Sequence, residues 1–311
     1  MQHYLAVLTK EATQYQTLIP ALLPANVRLQ CITSKVGDVD LEKITILLAD
    51  PDLAACVVPV MPALQWCQSI WAGNRPLLTL NRQDYILTAA KGMFGAPMRE
   101  YLFTYLLHYS RNVDEFDTAQ KAAKWAPPPY SRLQGKTLGI MGAGSIAQHI
   151  LPVASAFDMR VIGLSRRGAP QTGYQHVFRT DQRLDFAQRC DFVFNLMPDT
   201  PSTTGLLNST FFHALPRHCV LINAGRGTAI VETDLIHALN HNHIRAAVLD
   251  VFAEEPLPAS HPFWRHPNIR ITQHTAAESR PEDVAELFAE NLRRFLTKSP
   301  LLYQFNFRQG Y

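Results

Sequence analysis

The sequence is poor in cysteine and has no closely spaced cysteine pair. Its five cysteines are odd in number and scattered between Cys31 and Cys219. This pattern excludes a disulfide scaffold and lacks the paired ligands of a zinc or redox motif. We therefore expect reduced, mostly buried thiols and no metal site.

Long apolar runs and blocks of like charge are also missing. The apolar stretch around Leu5–Leu8 is too short for a signal-peptide core or a membrane span, so we expect a cytoplasmic protein without a membrane partner. The 29 basic and 26 acidic residues leave a net charge of only +3. No charged tail indicates a nucleic-acid partner, whereas a small anionic substrate is compatible with this charge.

The chain does have enough apolar residues and enough length for two domains. It contains 311 residues, of which 47% are hydrophobic. Short apolar runs alternate with helical segments in both halves, which predicts α/β folding with parallel sheets. In the first half these runs are Tyr4–Leu8, Leu29–Thr33, Ile44–Leu48, Ala55–Val58 and Trp66–Ile70.

The second series of apolar runs has the rhythm of a doubly wound sheet, and the apolar spacing in 281–298 predicts a helix that returns to the first domain. We predict two Rossmann-like, doubly wound domains. A discontinuous, flavodoxin-like domain comprises residues 1–99 plus 279–311, and a second domain comprising residues 100–278 is inserted into it.

A dinucleotide motif follows the first strand of the second series. The buried segment 138–141 runs into the sequence GAGSIA at 142–147, and a helical segment follows. Gly142 permits the tight turn, Gly144 lets a pyrophosphate approach the backbone, and Ala147 lets helix and strand pack closely. The motif predicts nucleotide binding; the alternative is a glycine-rich turn that binds nothing.

The next strand indicates which nucleotide is bound. NAD-specific domains usually end this strand in Asp or Glu, but here it ends in Ser165, Arg166 and Arg167. A hydroxyl and guanidinium groups can bind a 2′-phosphate that a carboxylate would repel. The segment therefore predicts NADP(H) in preference to NAD(H), unless the two arginines are simply part of a solvated loop.

Three later strands each end in a polar residue suited to the reduction of a 2-oxo acid. Arg226, Glu255 and His274 follow the segments 221–223, 249–250 and 271–272. Arg226 can bind a carboxylate through paired hydrogen bonds, and His274 can donate a proton to the carbonyl oxygen. Glu255 can bond the other ring nitrogen and raise the pKa of His274. Each residue alone could equally be a cap or a surface group. Four other histidines, His241, His243, His261 and His266, are expected to face solvent.

Together these motifs resemble the D-isomer-specific 2-hydroxyacid dehydrogenase family and, within it, the glyoxylate/hydroxypyruvate reductase A branch. The resemblance covers most of the chain and includes LQGKT at 133–137, NLMPDTPST at 195–203, the three catalytic segments, and RQGY at 308–311. It implies a catalytic set of Arg226, Glu255 and His274, with Asp250 beside the nicotinamide and with Pro198 and Thr203 lining the cofactor cleft. The residues expected to contact the cofactor are Gly142, Gly144, Ser145, Ile146, Ser165, Arg166, Arg167, Met197, Pro198, Thr203, Ala224, Asp250, His274 and Ala276.

The resemblance also assigns a carboxylate-binding loop, the family's S-x-x-A-G, to residues 69–73. The substrate-binding residues are then Trp71, Ala72, Gly73, Arg226 and His274. Trp71 is either a side chain that narrows the pocket or a core aromatic. Asn74-Arg75 replaces the family's usual Val-Asp, and Gln273 replaces the Pro that usually precedes the catalytic His.

The function implied by the resemblance is NADPH-dependent reduction of glyoxylate and hydroxypyruvate to glycolate and D-glycerate. The reaction is expected in a cleft between the substrate-binding domain, residues 1–99 plus 279–311, and the NADP-binding domain, residues 100–278. The resemblance also implies a homodimer joined through the NADP-binding domain. Two alternatives stay open. One is a dehydrogenase for a larger 2-oxo acid, and the other is a dinucleotide-sensing binding protein without turnover.

Overall fold

The computed structural model describes residues 2–307. The RQGY segment at 308–311, which contributes to the resemblance, lies outside the described residues. The strands are β1 His3–Leu8, β2 Val27–Thr33, β3 Ile46–Ala49, β4 Trp66–Ser69, β5 Ile86–Thr88, β6 Thr137–Met141, β7 Arg160–Ser165, β8 His176–Arg179, β9 Phe192–Asn195, β10 Val220–Asn223, β11 Ala246–Leu249 and β12 Ile269–Ile271.

The α-helices are α1 Ala12–Leu18, α2 Pro51–Val57, α3 Arg75–Leu78, α4 Gly95–Ser110, α5 Val113–Lys121, α6 Ser145–Ala156, α7 Arg183–Ala187, α8 Ser209–Ala214, α9 Glu232–Asn240 and α10 Pro281–Leu296. Short 3-10 helices occur at Pro20–Leu22, Val36–Asp38, Val58–Val60, Thr180–Gln182, Gly227–Ala229 and Pro262–Arg265. No helix among residues 2–307 combines the length and the apolar character that crossing a membrane requires.

The strands form two parallel sheets, as the sequence predicts. The first has the order β2-β1-β3-β4-β5, which is the flavodoxin-like order, and the second has the order β12-β11-β10-β9-β6-β7-β8. In the second sheet the chain winds outward in both directions from the neighbouring strands β6 and β9. This is the Rossmann arrangement, whose topological switch point lies between those strands.

Two compact units contain these sheets. One comprises the residues up to Met93 together with those from Ser279 onward, and the other runs from Phe94 to Glu278. The chain first passes from one unit to the other between Met93 and Phe94, which is earlier than the predicted boundary between residues 99 and 100. The reason is that α4 begins at Gly95 and packs on α6 of the second unit, where the rings of Phe103 and Phe157 stack at 5.4 Å.

Helix α10 packs on the first sheet, as its apolar spacing predicts. The ring of its Phe288 stacks on Trp66 of β4 with centroids 5.3 Å apart, and both side chains are fully buried. The buried Asn291 amide donates to Gln68 Oε1 at 3.0 Å and so satisfies a polar group inside the core. Truncation of a buried aromatic such as Phe288 to alanine costs about 3–5 kcal/mol of stability.

Several local expectations are wrong. The run Ala55–Val58 lies in α2 and the 3-10 turn that follows it, because Pro51 opens a helix whose apolar face is buried. Strands β5 and β8, each at one end of its sheet, were not among the predicted apolar runs. His261 does not face solvent freely, since its Nδ1 accepts from Phe263 N at 3.3 Å and its Nε2 lies 3.2 Å from Glu232 Oε2.

The cysteines are reduced, and most of them are buried. Cys67, Cys190 and Cys219 are buried, Cys31 is partly buried and Cys56 is exposed, and none of these described residues forms a disulfide. Burial raises the pKa of the Cys67 thiol to about 12. Since the thiolate is the reactive form, the buried cysteines are chemically inert.

Candidate active site

The candidate site lies at the carboxyl edge of the second sheet. Strands β6, β7, β9, β10, β11 and β12 all run parallel, so the residues that follow them meet at one edge. Every predicted cofactor residue and all three predicted catalytic residues follow one of these strands, except Ser165, which is the last residue of β7. The local geometry of each segment therefore decides what this edge can bind.

The turn after β6 leaves room for a phosphate group. Gly142 has φ +97°, and a Cβ there would lie 3.0 Å from the backbone of Leu196, so the turn requires glycine. A Cβ on Gly144 would meet nothing within 4 Å, and Gly144 is exposed directly before α6 begins at Ser145. An exposed helix N-terminus preceded by open space fits a dinucleotide pyrophosphate. Ala147 is fully buried, as close helix–strand packing requires.

The end of β7 presents the residues expected at a 2′-phosphate. Ser165 Oγ accepts from Gly168 N at 3.1 Å, which folds the loop back on itself. Arg166 and Arg167 lie within this fixed loop and are both exposed. The loop therefore offers a hydroxyl and two guanidinium groups to an anion and contains no carboxylate.

A pair of asparagines, which the sequence analysis did not single out, joins the ends of β9 and β10. Asn195 Nδ2 donates to Asn223 Oδ1 at 2.8 Å, and both side chains are fully buried. Asn195 Oδ1 accepts from Met197 N at 3.1 Å, and Asn223 Oδ1 accepts from Gly225 N at 3.3 Å. The pair thus shapes the two segments that carry the predicted Met197, Pro198 and Ala224. An asparagine at the end of each of two apolar strands was the available signal.

Close backbone packing fixes the segment that carries Arg226. A Cβ on Gly227 would overlap the backbone of Phe252, so only glycine fits between these loops. Asn223 Nδ2 donates to the Arg226 carbonyl at 3.2 Å, and Arg226 Nη1 donates to Gly225 O at 2.6 Å. The partly buried guanidinium therefore extends from a rigid loop.

Glu255 and His274 form a hydrogen-bonded pair. Their Oε2 and Nδ1 atoms are 2.7 Å apart, and Glu255 Oε1 accepts from Phe252 N at 2.8 Å. The Glu255 hydrogen bond raises the pKa of His274, while burial and the Arg226 charge oppose this effect. Burial raises the pKa of Glu255, but the hydrogen bonds from His274 and Phe252 outweigh it and leave the pKa lowered. The pair therefore favours a protonated imidazole beside an ionised carboxylate.

Buried Asp250 holds the loop of His274. Its Oδ1 accepts from Thr272 Oγ1 at 2.6 Å, from Thr275 N at 2.8 Å and from Ala276 N at 3.1 Å. Its carbonyl accepts from His274 N at 2.6 Å. The resemblance places Asp250 beside the nicotinamide, and the structure shows in addition that it organises this loop.

The two residues at the tip of this loop have left-handed backbone conformations. Gln273 has φ +59° and His274 has φ +61°. A proline ring fixes φ near −65°, so the proline usual in the family before this histidine could not adopt the Gln273 conformation. Proline could therefore replace Gln273 only with a change in the backbone at this position.

The predicted substrate loop belongs to the first unit, at the carboxyl end of β4. Ser69 Oγ accepts from Trp71 N at 3.1 Å and donates to Trp71 O at 3.0 Å. Trp71 is 38% exposed, so the alternative of a core aromatic is wrong. Lys10 Nζ lies 5.5 Å from the centroid of its ring, and Ala72 is exposed beside it. Asn74, at one of the two departures from the family, is buried.

Comparisons with known proteins identify the family of the chain. The family description "D-isomer specific 2-hydroxyacid dehydrogenase, NAD binding domain" matches residues 103–276. The glyoxylate/hydroxypyruvate reductase A of Serratia proteamaculans is 38% identical over 195 residues, which are 63% of this chain and 62% of that relative. The chain thus spans somewhat less than two thirds of that relative's length.

Solved structures resemble the whole fold. A D-isomer specific 2-hydroxyacid dehydrogenase family protein from Aeromonas salmonicida has a TM-score of 0.93 and 36% identity, over 99% of this chain and 100% of that one. An NADPH-dependent glyoxylate/hydroxypyruvate reductase from Sinorhizobium meliloti, solved with NADP and sulfate, has a TM-score of 0.88 and 27% identity, over 100% of both chains. The chain belongs to the D-isomer-specific 2-hydroxyacid dehydrogenase family, as its motifs predict.

Proposed function

We propose that this protein is an NADPH-dependent reductase that converts glyoxylate to glycolate and hydroxypyruvate to D-glycerate. The observation that carries the proposal is the 2.7 Å hydrogen bond between Glu255 and His274 at the sheet edge that also bears the dinucleotide turn. The names of the Serratia and Sinorhizobium relatives support the substrate class.

In this proposal Arg226 binds and orients the substrate. A guanidinium can hold a carboxylate through two parallel hydrogen bonds and can polarise the neighbouring carbonyl. The loop geometry supports this role, because Gly227 and Asn223 fix the Arg226 backbone. Residues 69–73 of the first unit, which the resemblance assigns to carboxylate binding, are proposed separately as a substrate-binding segment.

His274 is proposed as the proton donor. The Glu255 carboxylate bonds Nδ1, which leaves Nε2 as the nitrogen that transfers its proton to the carbonyl oxygen. Because the pair raises the pKa of His274, a larger fraction of the donor is protonated at a given pH than in an ordinary histidine. When bound, NADPH supplies the hydride that reaches the carbonyl carbon.

The residues at the sheet edge suit NADPH, and we propose that it is preferred to NADH. The open space at Gly144 and the N-terminus of α6 would hold the pyrophosphate. Ser165, Arg166 and Arg167 would bind the 2′-phosphate, and the Sinorhizobium meliloti reductase solved with NADP supports this choice of nucleotide. A cytoplasmic location and a homodimer joined through the second unit, which the sequence analysis expects, are part of the same proposal.

The test is an absorbance assay of nicotinamide oxidation. Purified protein is mixed with glyoxylate, hydroxypyruvate, pyruvate or phenylpyruvate, each with NADPH and with NADH. Rapid oxidation of NADPH by one of the two small acids is the expected result. Turnover with phenylpyruvate alone would favour a dehydrogenase for larger acids, and NADPH binding without any turnover would favour the sensing protein.

A further inference from the structure

A hydrogen-bond chain that the proposed reaction does not use joins α4 to the loop of His274. The hydroxyl of Tyr101 on α4 lies 2.9 Å from Thr272 Oγ1. Thr272 Oγ1 in turn donates to Asp250 Oδ1 at 2.6 Å. We call these three residues the tyrosine chain. It connects the helix with which the second unit begins to the residues that hold the proposed proton donor.

The direction of the tyrosine chain follows from the number of hydrogens. A threonine hydroxyl has one hydrogen to donate, and in Thr272 that hydrogen goes to Asp250. Tyr101 is therefore the donor to Thr272 Oγ1. Burial raises the pKa of the Tyr101 hydroxyl, so this group keeps its hydrogen across the pH range in which a histidine titrates. The chain thus runs from Tyr101 through Thr272 to the Asp250 carboxylate.

The loop that the tyrosine chain reaches has a backbone conformation that needs support. Gln273 and His274 are both left-handed, with φ angles of +59° and +61°. This conformation costs free energy in residues other than glycine and persists where the surrounding structure imposes it. The chain supplies a hydrogen bond to the residue directly before this pair, and Asp250 Oδ1 accepts from Thr275 N directly after it. The pair is therefore held from both sides.

Helix α4 is a fixed base for the tyrosine chain. Its Leu102 and Leu106 are fully buried in the core of the second unit. The Tyr101 ring meets the Tyr105 ring edge-on, with centroids 5.0 Å apart. Packing of this kind fixes the rotamer of a side chain, which a residue needs in order to position another. The Tyr101 hydroxyl therefore offers Thr272 a partner at a defined place.

Asp250 also links the tyrosine chain to the protonation of His274. The Glu255 hydrogen bond is the main cause of the raised pKa of His274, and the charge of Asp250 adds to it. Burial and the Arg226 charge act in the opposite direction. A chain that holds the Asp250 carboxylate in place therefore affects both the position and the proton affinity of the imidazole.

We propose that Tyr101 and Thr272 are positioning residues, which hold the loop of His274 through Asp250. They act through that carboxylate and not by contact with the substrate. This inference rests on the proposed function, because the tyrosine chain serves the reaction only if His274 is the proton donor. A measurement on His274 that needs no turnover separates the two.

The first experiment compares Tyr101→Phe with Tyr105→Phe. Each change removes one hydroxyl oxygen, but only Tyr101 belongs to the tyrosine chain. We expect Tyr101→Phe to lower kcat for glyoxylate about tenfold, because small displacements of a catalytic group are costly, and to leave the Kd for NADPH within about twofold. Tyr105→Phe should match the parent protein.

The pH dependence gives a second measurement on the same variants. When Asp250 is held less closely, the pKa of His274 should fall, and the alkaline limb of kcat/KM should move to lower pH in Tyr101→Phe. An NMR titration of the His274 imidazole, assigned with His274→Gln, should show the same lowered pKa in the absence of substrate.

Threonine variants test the second link of the tyrosine chain. Thr272→Ser keeps the hydroxyl and should retain kcat within about twofold, whereas Thr272→Val removes it and should lower kcat at least about tenfold. If Tyr101 acts only through Thr272, adding Tyr101→Phe to Thr272→Val should cost no further activity, because residues in one hydrogen-bond network are not additive.

Several outcomes would overturn the proposal. These are a parent-like kcat and His274 titration in Tyr101→Phe, an equal loss in Tyr105→Phe, or fully additive losses in the double variant. If the parent protein reduces no oxo acid, the proposed function fails, and the NMR titration still decides whether the tyrosine chain acts on His274. An unchanged His274 pKa in Tyr101→Phe then overturns the inference, and a lowered pKa supports it.

Discussion

The Glu255 carboxylate favours the protonated form of His274, the proposed proton donor. The Glu255 hydrogen bond raises the pKa of His274, so the imidazolium persists to higher pH than that of an ordinary histidine. The stability that His274 gains from the pair is complete below its unfolded-state pKa and is lost as pH rises through the raised folded-state pKa. The stability that Glu255 gains is present above its unfolded-state pKa and is lost as pH falls through its lowered folded-state pKa.

Replacing His274 by glutamine should abolish most turnover. A positioned general acid contributes about 10²–10⁴-fold to the rate, so kcat for glyoxylate reduction should fall by that factor. NADPH binding, measured by fluorescence titration, should change far less than kcat, because His274 is only one of the expected cofactor contacts and the dinucleotide turn is elsewhere on the sheet edge. Near-normal kcat in this variant would defeat the proton-donor role.

Replacing Glu255 by glutamine should move the pH profile. For reduction, kcat/KM should fall as pH rises through the His274 pKa, and loss of the carboxylate should shift this limb to lower pH. Glu254→Gln is the matched control, because Glu254 is the exposed neighbour in the chain. Identical profiles for the two variants would contradict the pairing argument.

Replacing Arg166 by alanine should weaken the binding of NADPH more than the binding of NADH. Removal of a charge-assisted contact to the 2′-phosphate should raise the KM for NADPH roughly tenfold and should hardly alter that for NADH. Arg28→Ala, at an exposed arginine on β2, controls for the change in net charge. Equal effects on both nucleotides would identify Arg166 as a surface charge.

At the scale of the element, the turn between β6 and α6 contains two glycines with different roles. One is required by the backbone conformation, and the other leaves space for the proposed ligand. Gly142 is required by its φ of +97°, whereas Gly144 has an ordinary backbone and open space beside it. Alanine at 142 should therefore destabilise the fold. Alanine at 144 would put a methyl group where the pyrophosphate approaches.

Gly144→Ala should accordingly lose NADPH affinity without unfolding. We expect at least about a tenfold rise in Kd, with the free energy of unfolding altered by less than about 1 kcal/mol. Gly37→Ala provides the control, because a Cβ there also meets nothing within 4 Å. Normal NADPH affinity in Gly144→Ala would exclude the turn as the pyrophosphate site.

The elements also show what sequence could and could not predict. The apolar runs of β6, β9, β10 and β11 were recognisable because strands buried on both faces have continuous hydrophobic sequences. Strands β5 and β8 lie at sheet ends and leave a weaker pattern, because β5 has only three residues and both terminal residues of β8 are exposed. The candidate Arg, Glu and His were visible because each follows a strand, but the Asn195–Asn223 pair depends on strand register, which a single sequence does not state.

At the scale of the whole molecule, the second unit is one continuous stretch of chain, whereas the first is assembled from both ends. Its sheet, its core and its dinucleotide turn all lie within residues 94–278. The fragment should therefore fold by itself and carry the proposed nucleotide site.

Residues 94–278 expressed alone should bind NADPH but reduce no oxo acid. We expect a cooperative thermal transition and a Kd within about tenfold of that of the whole protein, because the residues of the nucleotide site are all present. Turnover should be absent, since the 69–73 loop is missing. A fragment that fails to fold, or one that reduces glyoxylate, would contradict this division of roles.

The uninterrupted second unit has a genetic consequence. A single recombination event with two breakpoints, near codons 94 and 278, would exchange the whole Rossmann sheet and its nucleotide preference at once, whereas the first unit can be replaced only by two separate exchanges. The two units can therefore have different evolutionary histories. A phylogenetic tree built from the inserted segment can then differ from a tree built from the chain ends.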